Sequence, residues 1–368
     1  MNSFERVMAV LDGQVPDRVP IFEFMIDPAV IAGILPGGTY PELVEALDID
    51  VVVTPTASRM YTLEQAGEKN GHPIYQTEWG EKRMYTGDMV TIPIEHPIQS
   101  HADWESYQVP DPDKPGRLSE LFSLVGRFKG KRAIGCHLHD SFSYPSYLFG
   151  MDQLFLNMIM DPGWVKEVIA ACSDHCVRMV ELAVQAGADF ILFGDDVGGK
   201  AGPLMSPTHY REFFLPGLAA AAGKAREMGA RVFKHTDGNV TSLLEMFIEA
   251  GVEAFHPSDP SAGMDIAEVK QRFGGRLVVL GGMDTGDPLC HWSVPQVVNE
   301  VKRRIAELAP GGGWMIASSN TIHSGVRPEN YHAMVIATRT YGCYVSLGQA
   351  IDPHIEESIG KIPLKANV

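Results

Sequence analysis

The chain alternates between two patterns of apolar residues along most of its length. Short runs rich in β-branched residues end in polar residues, and after each run apolar residues recur about every 3.6 positions. The short runs are predicted to be strands, at residues 18–24, 48–56, 131–140, 188–196, 230–238, 252–259, 276–285 and 313–320. The longer segments are predicted to be helices, most clearly at residues 161–187, 206–229, 239–251, 264–274, 293–310 and 328–342.

Strands that alternate with helices and are almost continuously apolar indicate a parallel sheet covered by helices. Eight such units predict a closed (β/α)8 TIM barrel, with residues 1–368 forming a single domain. Residues 72–100 depart from this pattern, because apolar and polar residues alternate there around the turn Thr86-Gly87-Asp88. We therefore predict an inserted β-hairpin at this place. No GxGxxG motif follows the first strand, which argues against a dinucleotide-binding fold.

Composition and net charge exclude some classes of partner but say little about the fold. The formal net charge is −16, whereas nucleic acids and anionic membranes need a basic footprint, so neither is an expected partner. No apolar run approaches the ~20 residues of a membrane span, and the first residues suggest an amphipathic helix rather than a signal peptide. The five cysteines show no CxxC spacing, which argues against a disulfide framework and favours a reducing cytoplasm.

Polar residues cluster where the predicted strands end. In a TIM barrel the C-terminal ends of the strands meet at one face, and that face holds the active site. The residues at these positions are Glu23, Thr54, Thr56, His137, His139, Asp140, Asp195, Asp196, His235, Asp237, His256, Asp259, Asp284, Asn320 and His323. So many polar strand ends predict an active site at this face.

Two pairs of these residues have a spacing that suggests chemistry. His235 and Asp237 could form an acid/base couple, hold a metal ion or satisfy a polar strand end, and the carboxylate is expected to raise the pKa of the imidazole. His137 and His139 place both rings on one face of their strand, a spacing that metal ligands use but that also arises by chance. Tyr144 follows this pair and could line a pocket for an aryl group, although most nearby aromatic residues are expected to be core.

Several motifs together resemble a known family. They are ERVMAVLDGQVPDRVPIFEF, EWG, IEHPI, GDDVGG, GPLMSPTHYREFFLPG, KHTDGNV, GGMDT and GGGWMIASSN followed by PEN, in the order the family has them. On these motifs the chain resembles the uroporphyrinogen decarboxylase superfamily, a group of (β/α)8 barrels, over nearly its whole length. The resemblance implies one of two chemistries. One is cofactor-free decarboxylation of uroporphyrinogen, and the other is methyl transfer to or from a corrinoid on a separate protein, often assisted by zinc.

The chain departs from both branches of that superfamily. The decarboxylases carry an arginine-rich segment after the first strand that binds substrate carboxylates, whereas residues 21–33 here contain Glu23 and Asp27 and no arginine. Like charges repel in a cleft, so a polycarboxylate substrate is not expected. The zinc-dependent methyltransferases have His-x-Cys where this chain has His235 and Asp237, and a third ligand, also Cys, where it has Asn320. The resemblance therefore implies that thiol activation is not the task of this chain, and that a bound zinc would use His235 and Asp237.

We therefore predict a methyltransferase that moves a methyl group from a small methylated or methoxylated compound, such as an aryl methyl ether, to a partner corrinoid (cobalamin) protein. The residues predicted to be catalytic are His235, Asp237, His137, His139 and His323. The residues predicted to bind or shape the substrate pocket are Glu23, Asp196, Tyr144, His256 and Asn320. Two alternatives stay open: a cofactor-free decarboxylase, and a non-catalytic barrel that binds a corrinoid or another tetrapyrrole.

Overall fold

The computed structural model describes residues 1–54, 64–87 and 91–344. Its strands are β1 (Val51–Thr54), β2 (Glu64–Lys69), β3 (His72–Gln76), β4 (Lys82–Met84), β5 (Ile92–Glu95), β6 (Ala133–Leu138), β7 (Phe190–Phe193), β8 (Gly198–Gly199), β9 (Gly202–Pro203), β10 (Arg231–His235), β11 (Ala254–His256), β12 (Val278–Met283) and β13 (Trp314–Ser318). Its helices are α1 (Ser3–Leu11), α2 (Pro28–Ile34), α3 (Tyr40–Leu47), α4 (His101–Ser106), α5 (Ser119–Phe128), α6 (Ser143–Phe149), α7 (Met151–Met160), α8 (Pro162–Gln185), α9 (Pro207–Phe213), α10 (Leu215–Glu227), α11 (Leu244–Ala250), α12 (Ile266–Phe273), α13 (Asp287–His291), α14 (Val294–Leu308) and α15 (Pro328–Tyr341). The predicted strand end at Thr56 and the last part of the predicted domain, residues 345–368, lie outside the described residues.

Among the described residues, seven parallel strands form one curled sheet in the order β1-β6-β7-β10-β11-β12-β13. Each of them overlaps a predicted strand, whereas the first predicted strand, residues 18–24, is reduced to isolated bridges. There Ile21 pairs in parallel with Ile316 of β13, and the Asp50 amide at the start of β1 donates to the Ile21 carbonyl at 3.1 Å. This segment therefore closes the sheet into the predicted TIM barrel. Pro20 has no N–H to give to a ladder, which explains why the pairing is so short.

A buried carboxylate clamps the N-terminal end of the barrel. Asp50 is fully buried and accepts from Arg6 at 2.6 Å, from Arg18 at 2.9 Å and from the Ile21 amide at 2.8 Å. A buried carboxylate is tolerated only when its charge and its hydrogen bonds are satisfied. The cluster therefore joins α1, the closing segment and β1 at the end of the barrel opposite the polar strand ends.

The insertion is larger than the predicted hairpin. In the described residues β2, β3, β4 and β5 form an antiparallel four-stranded sheet, so the insertion includes residues from Glu64 onward, ahead of the predicted start at residue 72. Asn70 and Gly71 connect β2 to β3 with φ values of 54° and 79°, the pair of positive angles that a type I′ hairpin turn requires. The prediction missed β2 because every residue of this edge strand is exposed and no apolar alternation marks it. Part of the predicted Thr86-Gly87-Asp88 turn, residues 88–90, lies outside the described residues.

The predicted helices are confirmed, with one division. The segment 206–229 forms two helices, α9 and α10, which are separated at Phe214. Pro216 follows two residues later and has no N–H to donate to a carbonyl of the preceding turn, so the hydrogen bonding of a single continuous helix is interrupted. Ser206 caps α9 by accepting the His209 amide at 3.1 Å. None of the described helices combines the length and the apolar character needed to cross a bilayer.

Candidate functional site

Three side chains converge where β7 and β10 end. His235 is the last residue of β10, and its Nε2 lies 3.5 Å from Asp237 Oδ1 and 3.7 Å from Asp196 Oδ1. We call Asp196, His235 and Asp237 the His–Asp cluster. It unites the two residues predicted to be catalytic and metal-binding with Asp196, which the sequence analysis places in the substrate pocket.

Two glycines permit this convergence. A Cβ on Gly198 would lie 2.2 Å from the Asp237 carbonyl oxygen, and a Cβ on Gly238 would lie 2.5 Å from the Gly198 carbonyl carbon. Gly238 also has a φ of 78°, which disfavours residues with a side chain. The loops after β7 and β10 can therefore touch backbone to backbone, and the Asp237 amide donates to Asp196 Oδ1 at 3.0 Å.

The two oxygens of Asp237 have different surroundings. Asn320 donates to Oδ2 at 2.9 Å, whereas Oδ1 is buried and has no hydrogen-bond partner among the described residues. Burial, followed by the negative charge of Asp196, raises the pKa of Asp237 to about 7. Asn320, which the resemblance aligns with a metal ligand, therefore acts here as a donor that orients Asp237.

The expectation that a carboxylate raises the pKa of His235 is wrong. The imidazole is buried, and burial together with the positive charge of Lys234 lowers its pKa to about 3. Asp237 can therefore carry an exchangeable proton near neutral pH, whereas His235 offers a neutral nitrogen.

The His–Asp cluster fits a divalent cation. Its three ligand atoms all lie within 4.8 Å of one another. Among the described residues, it is the group of three His, Cys, Asp or Glu side chains close enough to hold a metal ion. Tetrahedral ligands about 2.1 Å from a zinc ion are separated by about 3.4 Å, close to the two distances measured from His235 Nε2. A neutral imidazole nitrogen facing two carboxylate oxygens, one of them partnerless, is an arrangement that a cation would satisfy.

His256 lies behind His235. Its Nδ1 is 2.8 Å from His235 Nδ1, and its Nε2 is 3.0 Å from the Ser318 carbonyl oxygen. The side chain is fully buried, with Phe22 and Phe24 packed around it. His256, which is predicted to bind substrate, thus uses both ring nitrogens for contacts within the protein.

His139 is paired with Asp195, one of the polar residues at the predicted strand ends. Its Nδ1 lies 2.8 Å from Asp195 Oδ1, and Asp195 Oδ2 accepts the amides of Asp140, Phe142 and Ser143 at 3.2, 2.7 and 3.0 Å. Burial opposes ionisation of Asp195, but these hydrogen bonds and His139 outweigh it and hold its pKa well below the usual range. Asp195 therefore caps the loop after β6 and orients His139 at the same time.

His137 stands next to His139, as the strand alternation predicts, with ring centroids 5.7 Å apart. It also packs edge-on against Phe24 at 4.9 Å. Burial, followed by the charges of His139 and His235, keeps its pKa well below the usual value. The ring occupies space that only a glycine leaves open, because a Cβ on Gly194 would lie 1.9 Å from His137 Nε2.

Glu23, predicted to bind substrate, is buried behind β13 and is only 1% exposed. The Ser318 hydroxyl contacts both the Glu23 carboxyl group and the Asn320 carbonyl oxygen. A hydroxyl carries one proton, so Ser318 can donate to only one of these two oxygens at a time. Burial raises the pKa of Glu23 to about 8. Glu23 thus supports the loop that carries Asn320.

Tyr144 and His323 differ in their surroundings. Tyr144 is buried and stacks on Trp79 of the inserted sheet, with ring centroids 3.8 Å apart. His323 is exposed; its Nδ1 accepts the Gly325 amide at 3.1 Å, and its Nε2 lies 3.2 Å from the Thr285 carbonyl oxygen. The roles predicted for both residues stay predictions.

A cavity of about 670 Å³ opens beside the His–Asp cluster. Asp237, Asn320 and His323 line it, and the insertion contributes Thr86, just after β4, and Ile92 of β5. Apart from His323, the ionisable side chains among its described lining residues are all carboxylates, namely Asp27, Asp237, Asp259 and Asp284. The cavity is large enough for a small substrate and is acidic.

Lys234 and Ser318 are not among the residues predicted from sequence. Lys234 is fully buried and donates to Asp140 at 2.7 Å and to the Asp195 carbonyl oxygen at 2.9 Å, which ties β10 to the loops after β6 and β7. A lysine inside the apolar run RVFKH is the signal that could have revealed it, since a buried ammonium needs a partner.

Comparison with known proteins places the chain in a family. The profile of the family "Uroporphyrinogen decarboxylase (URO-D)" matches residues 2–341. The uroporphyrinogen decarboxylase of Thioalkalivibrio sulfidiphilus is 25% identical over 259 residues, which cover 66% of this chain and 70% of that protein. That of Aeromonas salmonicida is 25% identical over 256 residues, covering 66% and 69%. A solved methyltransferase from Methanosarcina mazei superposes with a TM-score of 0.72 at 20% identity, covering 92% of this chain and 98% of that one, which confirms the fold.

Proposed function

The chain belongs to the uroporphyrinogen decarboxylase family, and we propose that it is a methyltransferase that demethylates a small methylated or methoxylated compound, such as an aryl methyl ether. The acceptor in this proposal is a corrinoid carried by a partner protein. The observation that supports it most is the His–Asp cluster at the edge of an acidic cavity. The fold is also that of a methyltransferase from Methanosarcina mazei.

Removal of a methyl group from an ether leaves charge on oxygen. The methyl–oxygen bond breaks with both electrons remaining on the oxygen, and the reaction is faster when a proton or a cation meets that charge. Asp237 can supply the proton, because its pKa of about 7 leaves part of its carboxyl group protonated at neutral pH. Asn320 holds the opposite oxygen of this carboxyl group and so fixes its direction.

A divalent metal ion would be held at the same place by His235, Asp196 and Asp237. It would supply Lewis acidity toward the leaving oxygen. In either form the chain's own residues bind and orient the substrate atom at the end of β10. The donors are nitrogen and carboxylate oxygen without thiolate, a set suited to an oxygen leaving group and not to activation of a thiol.

The acidic cavity argues against uroporphyrinogen decarboxylation, the activity named for the relatives at 25% identity. Four carboxylates line it, and neither lysine nor arginine occurs among its described lining residues. A substrate that carries several carboxylates would be repelled at this site. A neutral or cationic methylated compound meets no such penalty.

The test compares methyl transfer to a reduced corrinoid protein by the wild type, Asp237→Asn and His235→Ala. Asp237→Asn removes the proton donor, and His235→Ala removes the nitrogen that would hold a metal ion, so in each variant turnover is expected to fall about 100-fold or more, in the range of one lost acid/base or electrostatic group. Asp152→Asn on the exposed surface of α7 is the matched control and should keep full activity. Equal turnover in all four proteins would show that the His–Asp cluster is not the reacting centre.

A further inference from the structure

His256 and the Ser318 carbonyl group lie behind the His–Asp cluster and connect it to the backbone of β13. The Ser318 carbonyl oxygen is 3.0 Å from His256 Nε2, and His256 Nδ1 is 2.8 Å from His235 Nδ1. Both distances are those of hydrogen bonds, and the imidazole rings are tilted by 26° with centroids 5.0 Å apart. Each bond fixes where a proton must be.

The proton positions follow from what each atom can do. The Ser318 carbonyl can only accept, so His256 carries its proton on Nε2. A neutral imidazole has one N–H, which leaves a lone pair on His256 Nδ1. The short contact between the two Nδ1 atoms then requires His235 to carry its proton on Nδ1, and His235 Nε2 keeps a lone pair.

The opposite arrangement, a charged His256 with His235 protonated on Nε2, fits the geometry less well. An N–H on Nε2 should form a hydrogen bond with Asp237 or Asp196, but these oxygens lie at 3.5 and 3.7 Å, beyond hydrogen-bond length. The charge on His256 would also be fully buried against Phe22 and Phe24. Burying a charge without a partner of opposite sign is costly.

The aromatic neighbours also hold the ring of His235 in place. Phe24 packs on it with centroids 4.6 Å apart. Because His235 is 4% exposed, a ring flip would need movement of the surrounding core. Its Nε2 therefore keeps one direction, toward the gap between the two carboxylates.

We propose that His256, held by the Ser318 carbonyl, is a positioning residue that keeps His235 protonated on Nδ1 and directs its Nε2 lone pair into the His–Asp cluster. It prepares His235 as the nitrogen ligand of a divalent cation. The inference rests on the proposed function only in taking this cluster as the reacting centre. Histidine ligands often have such an outer partner, and its loss typically lowers metal affinity about 10- to 100-fold.

The first test is a nitrogen-15 NMR spectrum of the metal-free wild type with labelled histidine, with His235 assigned by substitution. Nδ1 of His235 should show the shift of a protonated nitrogen and Nε2 that of an unprotonated one. The reverse pattern would overturn the proposal. This NMR measurement needs neither substrate nor corrinoid, so its result is independent of whether methyl transfer is detected.

The second test titrates zinc chloride into His256→Phe by calorimetry at one fixed pH. Without an acceptor for its Nδ1 proton, His235 should move the proton to Nε2 and bond to Asp237, and zinc affinity should fall about 10- to 100-fold. His256→Gln can accept from His235 and donate to Ser318 with one amide, so it should retain most of the affinity. His175→Phe, a buried histidine bonded to the Pro110 carbonyl, controls for loss of packing. Equal affinity in His256→Phe and the wild type, or an equal loss in His175→Phe, would overturn the proposal.

Discussion

Glu23 makes a prediction about stability that can be measured without a substrate. Its carboxyl group is buried and accepts a hydrogen bond from the Ser318 hydroxyl, and burial raises its pKa from 4.5 to about 8. A group with a raised pKa stabilises the fold fully below its unfolded pKa, and this contribution is lost as the pH rises through the folded pKa. Each pH unit between the two values costs about 1.4 kcal/mol, so going from pH 5.5 to pH 8 removes about 3 kcal/mol.

The substitution Glu23→Gln removes the titration and keeps an acceptor for the Ser318 hydroxyl, because the side-chain amide has a carbonyl oxygen. Urea unfolding of both proteins at pH 5.5 and pH 8 should show the variant gaining about 3 kcal/mol on the wild type between the two conditions. Glu105→Gln, on the exposed surface of α4, should follow the wild type at both. If the difference in unfolding free energy between Glu23→Gln and the wild type is the same at both pH values, Glu23 is not held protonated in the folded protein.

Two other substitutions test how the site is supported. Gly194→Ala would place a Cβ against His137 Nε2, so we expect the ring to be displaced, methyl transfer to fall, and the unfolding free energy to drop by about 1–3 kcal/mol. Gly126→Ala, where none of the described residues comes within 4 Å of the added atom, should show neither effect, and equal behaviour of the two would contradict the prediction. Lys234→Met leaves the buried carboxyl of Asp140 without its cation and should cost about 3 kcal/mol in urea unfolding at neutral pH. A loss below about 1 kcal/mol would mean that the ion pair adds little.

The alternation of strands and helices was enough to predict the barrel and the face that carries the polar residues. The prediction failed where the local sequence carries no pattern typical of the structure that forms. Strand β2 is exposed along its whole length and so lacks an apolar pattern, and the pairing at Ile21 is too short to form a regular strand. The Asn70-Gly71 turn signal was present in the sequence and would have extended the insertion.

For the candidate site, too, the sequence predicted some features and missed others. The spacing of His235 and Asp237 pointed to the correct place, but the direction of the histidine pKa shift depends on burial and on Lys234, which only the folded chain brings together. Asp196 joins the cluster because Gly198 and Gly238 let two loops touch, a contact between residues 40 positions apart. A hydrogen bond such as that between His235 and His256 joins residues of neighbouring strands, so the spacing of residues within one strand does not predict it.

The measurement that tests the central claim most directly is transfer of a carbon-13 methyl label. The protein is incubated with labelled methyl ethers, with and without a reduced corrinoid protein of proven activity, while release of CO2 from candidate acids is followed in parallel. We expect the label to move to the corrinoid and the demethylated product to accumulate only when both proteins are present. Failure of every donor to transfer its label, together with CO2 release from a candidate acid in the absence of corrinoid, would contradict methyl transfer and identify a decarboxylase.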